Sequence, residues 1–296
     1  MNVESRRCGR IAIIGRPNVG KSTLLNRLVG EKVSIVSRRA QTTRHRLLGI
    51  LTQPDTQYLF VDTPGFQTRH GNALNQAMNR GVRQTVADVD VALLVVEAGR
   101  YDEADRAVRR LIPDDCPLIV VVNKTDQLRD KTQLLPYLAR LGSESEFAAL
   151  VPVSAATGFQ LTELLAEIRR HLPAGDFIYA EDDFTDRSER FLAGEYVREK
   201  LFRLLGDELP YGSAVEVEKF VVDGALRRIS AAILVEREAH KPIVIGRGGQ
   251  TLKRIASEAR QDMERVFDGP VFLEIFVKVK SGWADDARLL KTLGYD

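Results

Sequence analysis

Eight residues near the start of the chain, Gly15-Arg16-Pro17-Asn18-Val19-Gly20-Lys21-Ser22, have the Gly-x-x-x-x-Gly-Lys-Ser/Thr spacing of a loop that wraps a phosphate chain. Gly15 and Gly20 let the backbone approach closely, so its N–H groups and the positive end of the following helix, with Thr23 in its first turn, face the anion. The Lys21 ammonium reaches the terminal phosphates. The Ser22 hydroxyl lies where Mg²⁺ would sit, a cation that takes a few oxygen ligands and keeps several waters. Further along, Asp62-Thr63-Pro64-Gly65 offers a carboxylate to that metal and the Gly65 N–H to a γ-phosphate. Thr43, with Thr42 in reserve, adds a hydroxyl, so the expected metal set is Ser22, Thr43 and Asp62. Asn123-Lys124-Thr125-Asp126 selects the base: ionised Asp126 accepts from guanine N1–H and from the exocyclic amine, whereas adenine has an acceptor at N1 and no amine beside it. Ser154-Ala155-Ala156 puts the Ala155 N–H on the guanine oxygen, a weak signal alone. The implied substrate is GTP and the product GDP.

Those residues need a scaffold. Apolar runs at 11–14, 58–61, 91–96, 118–122 and 150–153 are rich in Val, Ile and Leu and read as strands buried on both faces of a mostly parallel sheet. Helical patterns fall at 21–29, 73–86, 102–111, 131–141 and 159–171, and 45–52 adds an edge strand. The class is α/β, a doubly wound sheet. Pro173-Ala174-Gly175 breaks the last helix and the acidic Glu181-Asp182-Asp183 marks a linker, which divides the chain into 1–174, a linker 175–187, and a smaller α+β domain with a C-terminal extension over 188–296. There the order is helix 188–205, strands 215–222 and 228–236 joined at Asp223-Gly224, helix 250–267 and strand 271–280.

Before that last long helix stands a Gly-x-x-Gly turn, Gly246-Arg247-Gly248-Gly249. The chain carries 43 Lys plus Arg against 41 Asp plus Glu, a net charge of +2, so no global field points to nucleic acid. Between residues 241 and 260, however, Lys241, Arg247, Lys253, Arg254 and Arg260 face only Glu258, a local +4. An isolated turn of this kind is a helix joint with a solvated face; the elements around it favour RNA. Cys8 and Cys116 have no metal spacing and read as free thiols in a reducing compartment, and the four histidines have no partner pattern. No apolar stretch approaches the roughly 18 residues of a membrane span. A cytoplasmic monomer is the expectation, with the periphery of the inner membrane as the other location.

The five nucleotide segments, in this order, resemble the translation-factor-related GTPases, and Gly-x-Pro-Asn-Val-Gly-Lys-Ser with Asp-Thr-Pro-Gly is similar to their Era-like branch over residues 10–171. The order helix, strand, strand, helix, turn, helix, strand resembles a type II KH domain, whose turn clamps a nucleic-acid backbone while single-stranded bases lie alongside. Residues 185–191, Glu195-x-x-Arg198-Glu199-Lys200 and 207–211 extend the likeness across nearly the whole chain.

The resemblance implies a P-loop GTPase domain followed by a type II KH domain, with Mg²⁺-dependent hydrolysis assisted by Asn18, Lys21, Thr43 and Gly65. K⁺ held partly by Asn18 would take the electrostatic part of an arginine finger. It also implies RNA contacts at Lys241, Ile245, Gly246, Arg247, Gly248, Gly249, Lys253 and Arg254. The implied partners are the 3′ end of small-subunit ribosomal RNA and the assembling small subunit. Phe66 departs from the Ras-type pattern, in which a glutamine there orients water, and Gly248 stands where a basic residue is common. A signalling GTPase docking to protein or membrane through the same basic patch is the competing class.

Overall fold

A computed structural model describes residues 6–37, 39, 42–65, 73–206, 209–283 and 286, the side chains of 73–78 excepted. Phe66, His70 and the residues after 286 lie outside the described residues. The chain divides into two compact units. One is Met1–Ser34, Thr43–His70 and Met78–Asp186; the other is Ile35–Thr42, Gly71–Ala77 and Arg187–Asp296.

The first unit is built on a six-stranded sheet in the order β2-β3-β1-β4-β5-β6. Its strands are β1 (Arg7–Ile14), β2 (Leu47–Gln53), β3 (Thr56–Asp62), β4 (Val91–Glu97), β5 (Leu118–Asn123) and β6 (Ala149–Pro152). All pair in parallel except β2, which returns antiparallel on β3 at the edge. Apolar runs form these strands because both faces are covered. Ile11 and Ile13 pack into one core with Leu24 and Leu28 of α1 (Lys21–Val29) and with Leu164 and Ile168 of α5 (Leu161–His171). Ala12 and Ile14, pointing the other way, join Val82 and Val86 of α2 (Ala73–Ala87), Val108 of α3 (Glu103–Arg109) and Leu141 of α4 (Leu134–Gly142). Since β1 has β3 on one side and β4 on the other, the connections diverge at its C-terminal end, and a crevice opens there.

Helix starts differ from the sequence expectation for local reasons. Helix α3 begins after Asp102, whose side chain accepts from the Ala104 N–H while Asp105 caps back. Residues 131–133 form a 3₁₀ turn ahead of α4, capped by Asp130. Helix α5 starts at Leu161 because Gln160 is left-handed, with φ 57°. Residues 175–186, expected as linker, run along the first unit: Gln57 Oε1 accepts from the Ile178 and Tyr179 N–H groups at 2.8 and 3.0 Å, and Ile50 N–H donates to Phe184 O.

The second unit carries α6 (Glu189–Leu204), an antiparallel hairpin of β7 (Ser213–Asp223) and β8 (Leu226–Val235), α7 (Lys241–Ile245), α8 (Gln250–Val266) and β9 (Val271–Val279). Strand β9 pairs in parallel with β8, so the chain must cross over, and α7 and α8 are that crossover. Ser188 Oγ caps α6 by accepting from the Phe191 N–H. Arg198 and Glu195 form a buried two-point ion pair at 2.6 and 2.7 Å, and Lys200 bridges Glu199 and Asp262 of α8. Trp283 is fully buried and its indole N–H donates to Gly212 O, so it closes this core.

Candidate functional site

The loop between β1 and α1 is shaped by glycines that cannot be replaced. A Cβ on Gly15 would stand 2.4 Å from Val95 O, and one on Gly20 would stand 2.3 Å from Asn123 Nδ2. Both have positive φ, 152° and 102°, as does Asn18 at 65°, where Asn is tolerated best after Gly. Helix α1 has no side-chain cap and no acid in its first turn, so its N-terminal N–H groups are left for an anion. Lys21 is buried and Nζ donates to Gly15 O and Arg16 O at 2.9 and 2.8 Å. The Arg16 guanidinium turns away from the loop, donating to Asp105 Oδ1 at 2.6 Å and reaching Asp102 at 3.5 Å. Arg16 therefore serves the loop through its carbonyl. Pro17 and Gly65 meet closely, since a Cβ on Gly65 would lie 3.0 Å from Pro17 Cγ, and Val19 is buried against Gly15.

Around Asp62 the sequence-predicted metal residues come together. Ser22 Oγ donates to Asp62 Oδ2 at 2.9 Å and lies 2.8 Å from Thr43 Oγ1, which is itself 3.5 Å from Oδ2. Thr42 points elsewhere, donating to Arg39 O. Asp62 is fully buried and its Oδ1 has no hydrogen-bond partner. Burial raises its carboxyl above the usual range, opposed by Lys21 and the surrounding hydroxyls, and burial pushes the Lys21 ammonium down to about 8. Hydroxyls and a carboxylate with one orphaned oxygen are the hard donors that Mg²⁺ prefers. Among the described residues no cluster of three His, Cys, Asp or Glu side chains could hold a metal, so a cation here must complete its shell with other oxygens. Beside Asp62, Thr63 Oγ1 donates to Ile13 O and Pro64 is buried, fixing the chain that delivers Gly65.

The base-reading loop leaves the end of β5. Asn123 is buried and braces the site: Nδ2 donates to Val19 O at 2.8 Å and Oδ1 accepts the Ala155 N–H at 2.9 Å. The Ala155 N–H was expected on a guanine oxygen. Here it donates to Asn123 Oδ1, whose amide is fixed at its other end by Val19. Lys124 is left-handed and pairs with Glu97 at 3.3 Å. Asp126 is exposed, with Ser154 Oγ donating to Oδ1 at 2.6 Å, which orients the carboxylate at the rim. Ala156 follows, exposed.

In the second unit α7 ends at Gly246, whose φ is 75° and where a Cβ would lie 2.1 Å from Thr251 Oγ1. Gly248 and Gly249 also have positive φ, yet nothing stands within 4 Å of a Cβ at either. Gly249 caps α8, whose first turn has no acid. Arg247, Gly248, Lys253 and Arg254 are exposed, and Lys241 and Ile245 half-buried. Arg254 is paired with Glu258 at 2.8 Å.

Residues 10–124 match the family described as 50S ribosome-binding GTPase, and residues 208–284 match the KH domain. The GTPase Era of Chromobacterium violaceum is 56% identical over 289 residues, 98% of each chain. That of Nitrosomonas eutropha is 55% identical over 296 residues, 100% of each. The chain belongs to the Era family of GTPases. A solved Era in complex with MgGDPNP and nucleotides 1506–1542 of 16S ribosomal RNA matches with a TM-score of 0.94 at 37% identity, covering 98% of this chain and 99% of that one. An Aquifex aeolicus Era variant bound to GDP and AlF₄⁻ matches at 0.93 and 38% identity over the same shares. The P-loop GTPase fold with a C-terminal KH domain and the GTPase activity are thus those of the Era family.

Sequence reasoning missed several residues in this Era-family site. Asp105, which holds Arg16, and Glu97, which holds Lys124, lie far along the chain from their partners and in no motif. Ser34 and Asn26 were also missed. Ser34 Oγ donates to Asp62 Oδ2 at 2.9 Å, and Asn26 brackets the Ser34 backbone. An amide set among Leu24, Leu25 and Leu28 was the one available hint.

Proposed function

We propose that this Era-family GTPase binds GTP with Mg²⁺ at the C-terminal ends of β1, β3 and β5, hydrolyses it to GDP, and grips the 3′ end of small-subunit ribosomal RNA at Gly246–Gly249 while the subunit is assembled in the cytoplasm. The observation that carries this reading is the presence in one chain of both a buried phosphate and metal constellation and an open Gly-x-x-Gly turn, with end-to-end likeness to the Era solved with MgGDPNP and 16S RNA. The family description names the 50S subunit, but it covers the first unit only; the RNA of the solved complex is 16S. The small subunit is therefore the better partner.

Ser22, Thr43 and Asp62 would hold Mg²⁺, which supplies positive charge to the β- and γ-phosphate oxygens. The loop N–H groups and Lys21 bind those oxygens, with Lys21 already held by the Gly15 and Arg16 carbonyls. A bound phosphate chain favours the charged form of Lys21, which burial disfavours. Asp126 and Ser154 select guanine. The Gly65 N–H senses the γ-phosphate, and backbone groups position the attacking water. Asn18, exposed in the loop, would hold a K⁺ ion supplying positive charge to the phosphates; equal hydrolysis in Na⁺ and K⁺ would remove that assignment. The protein acts as a monomer, and no helix among the described residues is long and apolar enough to cross a membrane.

The test is to crosslink GTP-loaded protein to total cellular RNA and sequence what is recovered, with Gly248→Asp as control. Asp is tolerated at a φ of 58°, and with nothing within 4 Å the carboxylate stands in the phosphate path without disturbing the fold. Recovery of one small-subunit 3′ segment, lost in the variant, is expected; no enrichment over the variant would turn the reading towards a GTPase that docks on protein.

A further inference from the structure

We propose that Ser34, held from behind by Asn26, is the positioning residue that aims the Asp62 carboxylate at the divalent cation. This rests on the reading of Ser22, Thr43 and Asp62 as the Mg²⁺ site and adds to it two residues that belong to no nucleotide motif.

Three hydroxyls converge on Asp62 Oδ2: Ser22 at 2.9 Å, Ser34 at 2.9 Å and Thr43 at 3.5 Å. They are not equivalent. Ser22 and Thr43 lie 2.8 Å from each other and are the hydroxyls assigned to the metal. Ser34 is fully buried, and among the described residues its hydroxyl bonds the carboxylate and not the other two hydroxyls. Its aim is set by α1 rather than by the loop that follows. Asn26 Nδ2 donates to Ser34 O at 2.6 Å, and Asn26 Oδ1 accepts the Ser34 N–H at 2.8 Å, so one side chain satisfies both backbone groups of a buried residue.

That two-point clamp resembles a rung of sheet pairing and leaves the Ser34 side chain little freedom. With Oδ2 engaged by Ser34 beside the Ser22 and Thr43 hydroxyls, rotation of the carboxylate is restrained, while Oδ1 is buried without a hydrogen-bond partner. Residues 35–42, between Ser34 and Thr43 in the chain, group with the second unit. The Ser34 bond to Asp62 is braced by the Asn26 side chain of α1. Groups that orient a metal ligand typically change metal affinity by about 10–100-fold when removed.

The experiment measures Mg²⁺ affinity separately from nucleotide affinity. Full-length protein, Ser34→Ala, Asn26→Leu and the double variant are each titrated with N-methylanthraniloyl-GDP in EDTA, and then with Mg²⁺ while GDP release is followed by fluorescence. Ser34→Ala is expected to weaken the apparent Mg²⁺ affinity by about tenfold, while metal-free nucleotide affinity stays within about twofold, because the phosphate loop is untouched. Asn26→Leu weakens Mg²⁺ in the same direction, and the double variant is no worse than Ser34→Ala, since Asn26 acts through Ser34.

Unchanged Mg²⁺ affinity in Ser34→Ala would overturn the proposal, as would additive losses in the double variant. Parallel loss of metal-free nucleotide affinity would reduce Ser34 to a structural part, which overturns it too. If the unaltered protein binds the nucleotide but shows no response to Mg²⁺, the metal-site reading itself fails, a result visible before any variant is compared.

Discussion

The nucleotide end of the first unit and the glycine turn of the second both expose backbone to phosphate, but they do so in opposite ways. In the first, Lys21, Asp62 and Asn123 are buried and each is held by other protein atoms. In the second, Gly248 and Arg247 stand in solvent. A small anion whose hydrolysis must be controlled is enclosed by a preformed cage, where dipoles act at low dielectric. A polymer has to slide in from the side, and only a bare edge admits it. Glycine serves both in different settings: at Gly15 and Gly20 neighbours already fill the space of a Cβ, whereas at Gly248 that space is open, as the proposed RNA path requires.

The same substitution should therefore have unequal effects. Gly20→Ala forces a methyl into the Asn123 amide and strains a φ of 102°, so a stability loss of about 2–5 kcal/mol is expected, with nucleotide binding lost as Asn123 shifts. Gly248→Ala meets no atom and bears only the left-handed cost, about 1 kcal/mol. Urea denaturation of both variants compares them directly, and equal losses would break the distinction between filled and reserved space.

Within the cage Asp126, like Asn18, is exposed, and the role proposed for it is selection rather than support. Asp126→Asn exchanges an acceptor for a donor facing the guanine amine, so GTP affinity falls by at least about 100-fold while xanthosine triphosphate, which has an oxygen in place of that amine, gains. Competition binding measures both. Equal loss of the two nucleotides would mean that Asp126, like Asn123, only braces the loop.

How much of this was legible follows from the range of each interaction. The strands were, because two-sided burial writes a continuous apolar run, and so were Lys21, Ser22, Asp62 and Asp126, whose spacing is local. Thr43 against Thr42 was a choice between neighbours that spacing leaves open: Thr43 Oγ1 meets Ser22, whereas Thr42 donates to Arg39 O. Contacts made across long stretches left no pattern. The Asn123 amide reaches Val19 and meets the Ala155 N–H, Arg16 reaches Asp105, and Ser34 reaches Asp62; each is a single polar bond between segments that read as ordinary loop or helix. The start of α5 was misread because Gln160 adopts a left-handed conformation that its residue type does not announce.

Gly248→Asp should weaken binding of a single-stranded 3′-terminal rRNA oligonucleotide by about tenfold or more, since a carboxylate against a phosphate is repelled directly. Filter binding at fixed salt reads it, and unchanged affinity would mean that RNA avoids the turn.

The smallest effect separates two arginines on the same patch. Arg247 stands exposed within the turn, whereas Arg254 lies one helical turn into α8 and is already paired with Glu258 at 2.8 Å. A cation that neutralises a phosphate releases counterions, and for single strands each such contact contributes about 0.7 to the slope of log affinity against log salt. Arg247→Gln should flatten the slope by about that amount. Arg254→Gln should change it less, because RNA must compete with Glu258 for the guanidinium and the pair is partly neutral beforehand. Glu258→Gln then supplies the opposite sign: it releases Arg254 and steepens the slope. If Arg254→Gln flattens the slope as much as Arg247→Gln, the helix face and the turn act as one clamp, and the open site extends along α8 rather than ending at its first turn.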